Sequence, residues 1–204
     1  AVLMFAARAW GQAHPGAELA YVANLTTTPE LYLLDVSSRV ELYLGLTGYH
    51  APVWSADGRL AFELLHEGAS EVYVWDDQSL TNVSQDAAND YSPAWSADGR
   101  LAFVSERDGE PNVYIWDGAT LSNISRYSEN DHDPLWSADG RLAFISEREG
   151  SSEIMVWDGS VMLNASRSAA NEEDMVWSAD GQIAFVSWRT GRRQIYVWDG
   201  SQIS

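Results

Sequence analysis

Two kinds of residue in this 204-residue chain could do chemistry: carboxylates grouped in short segments, and a tryptophan standing among charges. The segments read Tyr49-His50-Ala51, Asp90-Tyr91-Ser92, Asp131-His132-Asp133 and Glu172-Glu173-Asp174. Carboxylates and imidazoles gathered around one opening suit a cationic ligand, a basic peptide or a divalent metal. The bland alternative is a solvated acidic rim that serves solubility. Trp188 falls where related positions hold Glu106 and Glu147. An aromatic in place of a surface charge points to a contact site, and local packing is the competing account. The candidate partner-binding residues are therefore His50, Tyr91, Asp131, His132, Asp133, Glu173, Trp188 and Arg189.

Several chemistries find no support. The chain has no Gly-x-Ser-x-Gly elbow, no His-Glu-x-x-His and no glycine-rich phosphate loop. Without lysine there is no Schiff-base chemistry, and without cysteine no disulfide or thiolate site. No nucleophile, base and orienting group are seen to converge, so no catalytic, cofactor-binding or metal-ligating residue is assigned. A net charge of −18 argues against nucleic acid and anionic lipid, which need a basic surface.

The segments must be held by something, and the sequence states what. Trp95-Ser-Ala-Asp-Gly-Arg-Leu-Ala-Phe103 recurs at Trp54, Trp136 and Trp177, a step of 41 residues each time, with Gln182-Ile183 replacing Arg-Leu in the last copy. Trp-Asp at Trp75, Trp116, Trp157 and Trp198 keeps the same step. A fixed period near 40 with several short strands per unit is the signature of a propeller or solenoid. In one unit, Tyr91 to Trp95, Leu101 to Ser105, Asn112 to Trp116 and Leu121 to Ser125 read as strands bounded by Asp, Gly and Pro. Val113-Tyr-Ile-Trp116 is apolar without alternation, so both of its faces should be covered. Eight of the 10 tryptophans lie on the ladder and should pack between units. Arg107, Arg148 and Arg189 share one ladder position, and pairing with nearby carboxylates is expected of them. Asn82, Asn123 and Asn164 fit the glycosylation pattern, but their place on the ladder argues for a structural role.

Pro-x-Trp-Ser-x-Asp-Gly-Arg-Leu-Ala-Phe-x-Ser followed by Ile/Val-Tyr-Val-Trp-Asp resembles the propeller repeats of TolB-like proteins. It is also similar to WD repeats, with Trp116-Asp117 at the matching strand end, although the Gly-His pair of that family is absent. The resemblance implies a β-propeller and a bacterial, extracytoplasmic location (periplasmic or cell surface). TolB-like propellers usually have six blades, whereas this chain has material for five.

The expectation is an all-β, five-bladed propeller of four-stranded antiparallel blades in a single domain, 1–204. Its repeats lie at about 14–49, 50–90, 91–131, 132–172 and 173–204. Residues 1–13 are either a strand closing the ring against the last blade or the remnant of a signal or anchor segment. The expected function is non-catalytic: a monomeric scaffold recognising a protein or peptide, one that is cationic included, on its loop-rich face, with no cofactor. No direct membrane contact is expected unless an anchor precedes residue 1. The alternatives are a lectin-like module binding glycans at repeated sites, and a carboxylate-based hydrolase or lyase at the channel mouth.

Overall fold

The computed structural model describes the backbone of residues 4–7, 19–23, 30–35, 40–47, 49–76, 78–126, 130–148 and 150–204, and side chains from residue 51 onward. Every described element is a strand, and the strands form five antiparallel sheets. The first holds β1 (Met4–Ala7), β2 (Leu19–Ala23), β3 (Glu30–Asp35) and β4 (Val40–Thr47). The second holds β5 (Tyr49–Trp54), β6 (Leu60–His66), β7 (Ala69–Trp75) and β8 (Leu80–Asn82). The third repeats this with β9 (Asp90–Trp95), β10 (Leu101–Ser105), β11 (Asn112–Trp116) and β12 (Leu121–Asn123). The fourth consists of β13 (Asn130–Trp136), β14 (Leu142–Arg148), β15 (Ser151–Trp157) and β16 (Met162–Asn164). The fifth has β17 (Glu172–Trp177), β18 (Ile183–Ser187) and β19 (Gln194–Trp198), with Ile203 bridged to Trp198 where a fourth strand would lie. The N-terminal strand β1 pairs inside the first sheet, with Leu19–Ala23, where the sequence reading offered it as a closing strand for the last one. The first sheet thus begins upstream of position 14.

Each sheet is covered by the next, which explains the apolar runs without alternation. Leu101 and Phe103 point back onto Val72 and Val74 of the second sheet, while Ala102 points forward onto Leu142 and Phe144. All of β10 is buried in consequence. Phe62, Phe103, Phe144 and Phe185, one in each of the second to fifth sheets, are among the largest fully buried side chains, and each contributes roughly 1.5–3 kcal/mol by burial.

The Ser-Ala-Asp-Gly-Arg turn is a clamp between sheets. Within the turn, Ser55 Oγ accepts from Arg59 N at 2.8 Å, and Arg59 Nε meets both oxygens of Asp57 at 3.1 and 3.0 Å. Held so, the guanidinium lies 4.4 Å over the ring of Trp95 in the next sheet and donates to Gly99 O at 3.0 Å. Arg100 does the same to Trp136 and Gly140, and Arg141 to Trp177 and Gly181. The tryptophans answer in the other direction. Trp95, Trp136 and Trp177 donate Nε1 to Val53 O, Ala94 O and Leu135 O of the preceding sheet. Glycine at 99 has φ +86°, and a Cβ there would stand 2.7 Å from Arg59 Nη2. The turn therefore needs glycine twice, for its backbone and for the guanidinium that lands on it.

Among the described residues, the fifth sheet is clamped on one side only. Gln182 stands where the clamping arginine would be. The face beyond it is open: Ile195 is 74% exposed, whereas the equivalent Val72, Val113 and Ile154 are fully buried.

Candidate functional site

The candidate residues sit where the innermost strands begin, and their surroundings divide them into two groups. The first group is internal. Asp90, Asp131 and Glu172 share a ladder position and are buried, at 0%, 0% and 2% exposure. Register places Asp90 opposite Ser105, Asp131 opposite Ser146 and Glu172 opposite Ser187. Arg107 Nε donates to Ser105 Oγ at 2.7 Å and its Nη2 reaches Asp90 Oδ1 at 3.1 Å and Ser84 O of the preceding sheet at 2.9 Å. Arg189 repeats the pattern with Ser187, Glu172 and Ser166 O. Burial outweighs the favourable Ser105 and Arg107 contacts and pushes the Asp90 carboxyl above its ordinary pKa, and burial does the same to Glu172. These carboxylate, serine and arginine sets are struts. Asp131 and Arg189, expected as contacts for a partner, belong to them: Asp131 is fully buried, and Arg189 is spent on Glu172 and the backbone.

The second group lies at or beside a cavity. Ala51, Ser92, Asp133 and Asp174 all have positive φ, between 47° and 55°. Pairing shifts register beside each of them, so they form bulges. Such strained non-glycine backbone is costly and tends to mark sites with a task. Ser92, Asp133 and Asp174, with Pro93, Pro134 and Met175, line a cavity of about 350 Å³ between the innermost strands. His132 Nδ1 lies 3.0 Å from Asp133 Oδ2, with Glu147 3.9 Å from Nε2. The bond to Asp133 raises the His132 pKa against the opposing effect of burial, and the same bond lowers that of Asp133. Tyr91 is half-buried; burial, then Glu106, Asp133 and Glu63, raises its pKa.

Trp188 is 43% exposed. Its Nε1 donates to Glu173 Oε1 at 3.0 Å, and Arg193 links the same Glu173 (2.8 Å) to Asp174 (2.9 Å). The indole is thus fixed beside Glu173, next in sequence to the Asp174 that lines the cavity. The structure brings together Trp188 with Glu173, and His132 with Asp133. For His50 it gives the strand β5, and the side chain lies outside the described residues. Sequence reasoning missed the bulges and the apolar wall of the cavity; the signal was the fixed interval from Ser92, Asp133 and Asp174 to the tryptophan three residues on. Among the described residues no three His, Asp or Glu side chains gather as a metal ligand set.

The model of the TolB beta propeller domain matches residues 9–156, most of the chain. This chain belongs to the TolB β-propeller family. Solved structures agree on the fold. TolB from Acinetobacter baumannii aligns with 22% identity and a TM-score of 0.65, over 88% of this chain and 48% of that one. A putative TolB from Agrobacterium tumefaciens gives 20% identity and 0.68, over 98% and 79%. The propeller domain of the Trilobed protease from Pyrococcus furiosus, described as having an open velcro topology, gives 12% and 0.62, over 91% and 79%. This TolB-type chain spans about half the length of the Acinetobacter protein. No curated protein matches it by sequence.

Proposed function

We propose that this TolB-type chain is a non-catalytic scaffold that binds a protein or peptide segment bearing a basic side chain. The five sheets act as the five blades of a propeller, working as a monomer in an extracytoplasmic compartment. The contact surface is the loop face where Tyr91, His132, Glu173 and Trp188 stand beside a cavity lined by Asp133 and Asp174. The observation that carries this reading is the exposed indole of Trp188, oriented by Glu173 next to a cavity that Asp133 and Asp174 make acidic. Aromatic anchors beside charge-complementary pockets supply most of the energy at protein interfaces. The struts support the same reading, because they hold the loops rigid and leave the exposed side chains to vary. A lectin with repeated sites fits less well: Trp188 stands alone at a ladder position where Glu106 and Glu147 are the counterparts.

The test uses 5-fluorotryptophan-labelled protein, with the Trp188 resonance assigned through Trp188→Phe. A lysine- and arginine-rich peptide should shift that resonance saturably, and Asp133→Asn with Asp174→Asn should abolish the shift. A resonance that ignores the basic peptide, or that responds equally to an acidic one, would refute the reading.

A further inference from the structure

Eight Asp-Gly pairs occur in this chain, and the near-identity of the sheets lets their carboxylates be compared like with like. An aspartate followed by glycine is open to one spontaneous reaction. The glycine nitrogen can close on the aspartate Cγ, because glycine has no side chain to block the approach. What holds the carboxylate decides how readily this happens.

Most of these carboxylates are held by several donors. Arg59 Nε donates to both oxygens of Asp57, and Ser55 Oγ adds a third bond. Arg100 and Ser96 hold Asp98 in the same way, as Arg141 and Ser137 hold Asp139. These bonds, the arginine's first, keep the Asp98 and Asp139 carboxyls below their ordinary pKa and so ionised. At the Trp-Asp-Gly turns, Asp117 Oδ1 accepts from Ala119 N at 2.9 Å and Thr120 N at 2.7 Å. Asp158 and Asp199 are tied by the same pair of backbone bonds. Asp108 Oδ2 accepts from Tyr114 Oη and Asn123 Nδ2.

Asp180 differs. Gln182 stands in the arginine's place, and among the described residues the exposed Asp180 carboxylate accepts from Ser178 Oγ alone, at 2.6 Å. The backbone of the turn matches its siblings. Gly181 N donates to Ser178 O at 3.2 Å, and φ is +82° at Gly181 against +86° at Gly99 and +87° at Gly140. The reacting atoms are therefore placed alike in the four turns, and only the restraint on the carboxyl changes.

We propose that Asp180 is a site of spontaneous modification, the first aspartate of this chain to convert to isoaspartate. Gly181 N attacks Cγ of the protonated carboxyl, and the carboxyl OH leaves as water with the amide proton, closing a succinimide ring. Water then opens the ring. Cleavage between Gly181 N and Cγ restores aspartate, whereas cleavage between Gly181 N and the backbone carbonyl carbon routes the main chain through Cγ. The second outcome adds a methylene to the main chain next to Gly181, whose O takes Arg141 Nη2 at 2.8 Å. It thus slackens the joint between the fourth and fifth sheets. None of this depends on the reading of Trp188.

Incubation of the whole chain in water enriched in heavy oxygen, followed by peptide mapping with mass spectrometry, tests it. Each ring opening leaves one heavy oxygen on the residue, whichever bond breaks. Asp180 should label first, roughly tenfold faster than Asp98 or Asp139, the scale of one charge-assisted hydrogen bond. Gln182→Arg should slow Asp180 to the pace of Asp98, and Arg100→Gln should bring Asp98 up to the pace of Asp180. Asp199 lies in the same sheet and reports opening of that sheet as a whole, so it should stay slow. The proposal is overturned if Asp98, Asp139 or Asp199 labels as fast as Asp180, if either variant leaves its aspartate unchanged, or if Asp180 takes no label.

Discussion

Replacing Arg141 by glutamine would give the fourth turn the sequence that the fifth already has, and the structure sets the cost. Arg141 donates to Gly181 O at 2.8 Å and lies 4.8 Å over Trp177 and 6.0 Å over Trp198. The backbone hydrogen bond contributes about 0.5–1.5 kcal/mol. The stacking, partly desolvated, contributes about 0.5–2 kcal/mol. The pair with Asp139 at 2.9 Å adds little, since that carboxylate is 57% exposed. Together these give about 2 kcal/mol, or a fall of roughly 4–8 °C in Tm for a chain of this size. Urea unfolding of Arg141→Gln and Gln182→Arg side by side is the assay. The second variant offers an arginine with no further tryptophan described beyond it, so it should change stability by less than ~0.5 kcal/mol. Equal and opposite effects in the two variants, or an Arg141→Gln protein as stable as its parent, would refute the clamp.

Two further outcomes follow from the same geometry. His132 should titrate above the ordinary imidazole value, and Asp133→Asn should bring it down, as measured by NMR of the ring protons. Because its folded pKa is raised, its contribution to stability is full below the unfolded value of 6.5 and is lost as pH rises through the folded one. Gly99→Ala should destabilise more than Gly118→Ala in thermal melts. Both have positive φ, at +86° and +100°, but only at Gly99 would the Cβ meet a guanidinium, while Gly118 faces open space.

The repeat could be read from the sequence because its signals are local. Trp95, the Asp98-Gly99 turn and Val113 to Trp116 each carry their own instruction, and the strands at Leu101–Ser105 and Asn112–Trp116 match the expected bounds. The outer strand stops at Asn123 rather than Ser125 because Asn123 Oδ1 caps the N–H of Arg126 and turns the chain. Burial of Asp131 was not legible, since it depends on which serine lies across the strand pair. The constant spacing of Asp90, Asp131 and Glu172 from Ser105, Ser146 and Ser187 did record it, but only register turns that spacing into contact. Met155, which stands where the third sheet has Tyr114, was equally silent: one hydrophobic residue for another in a strand changes nothing in the pattern, yet it removes the hydroxyl that accepts from Asn123 in that sheet.

The clamps among the described residues run between adjacent sheets, and this shapes how the molecule comes apart. Coupling of that kind behaves like a chain of links, in which each unit's stability is its own plus that of the joints it shares. A sheet with joints on both sides has two to break before it opens; the fifth, with Gln182 on its far side, has one among the described residues. Local opening should therefore start there and travel inward through the fourth sheet. Trp188 and Glu173 sit on that least restrained sheet, so the surface best suited to adapt to a partner's shape is also the first to lose its own.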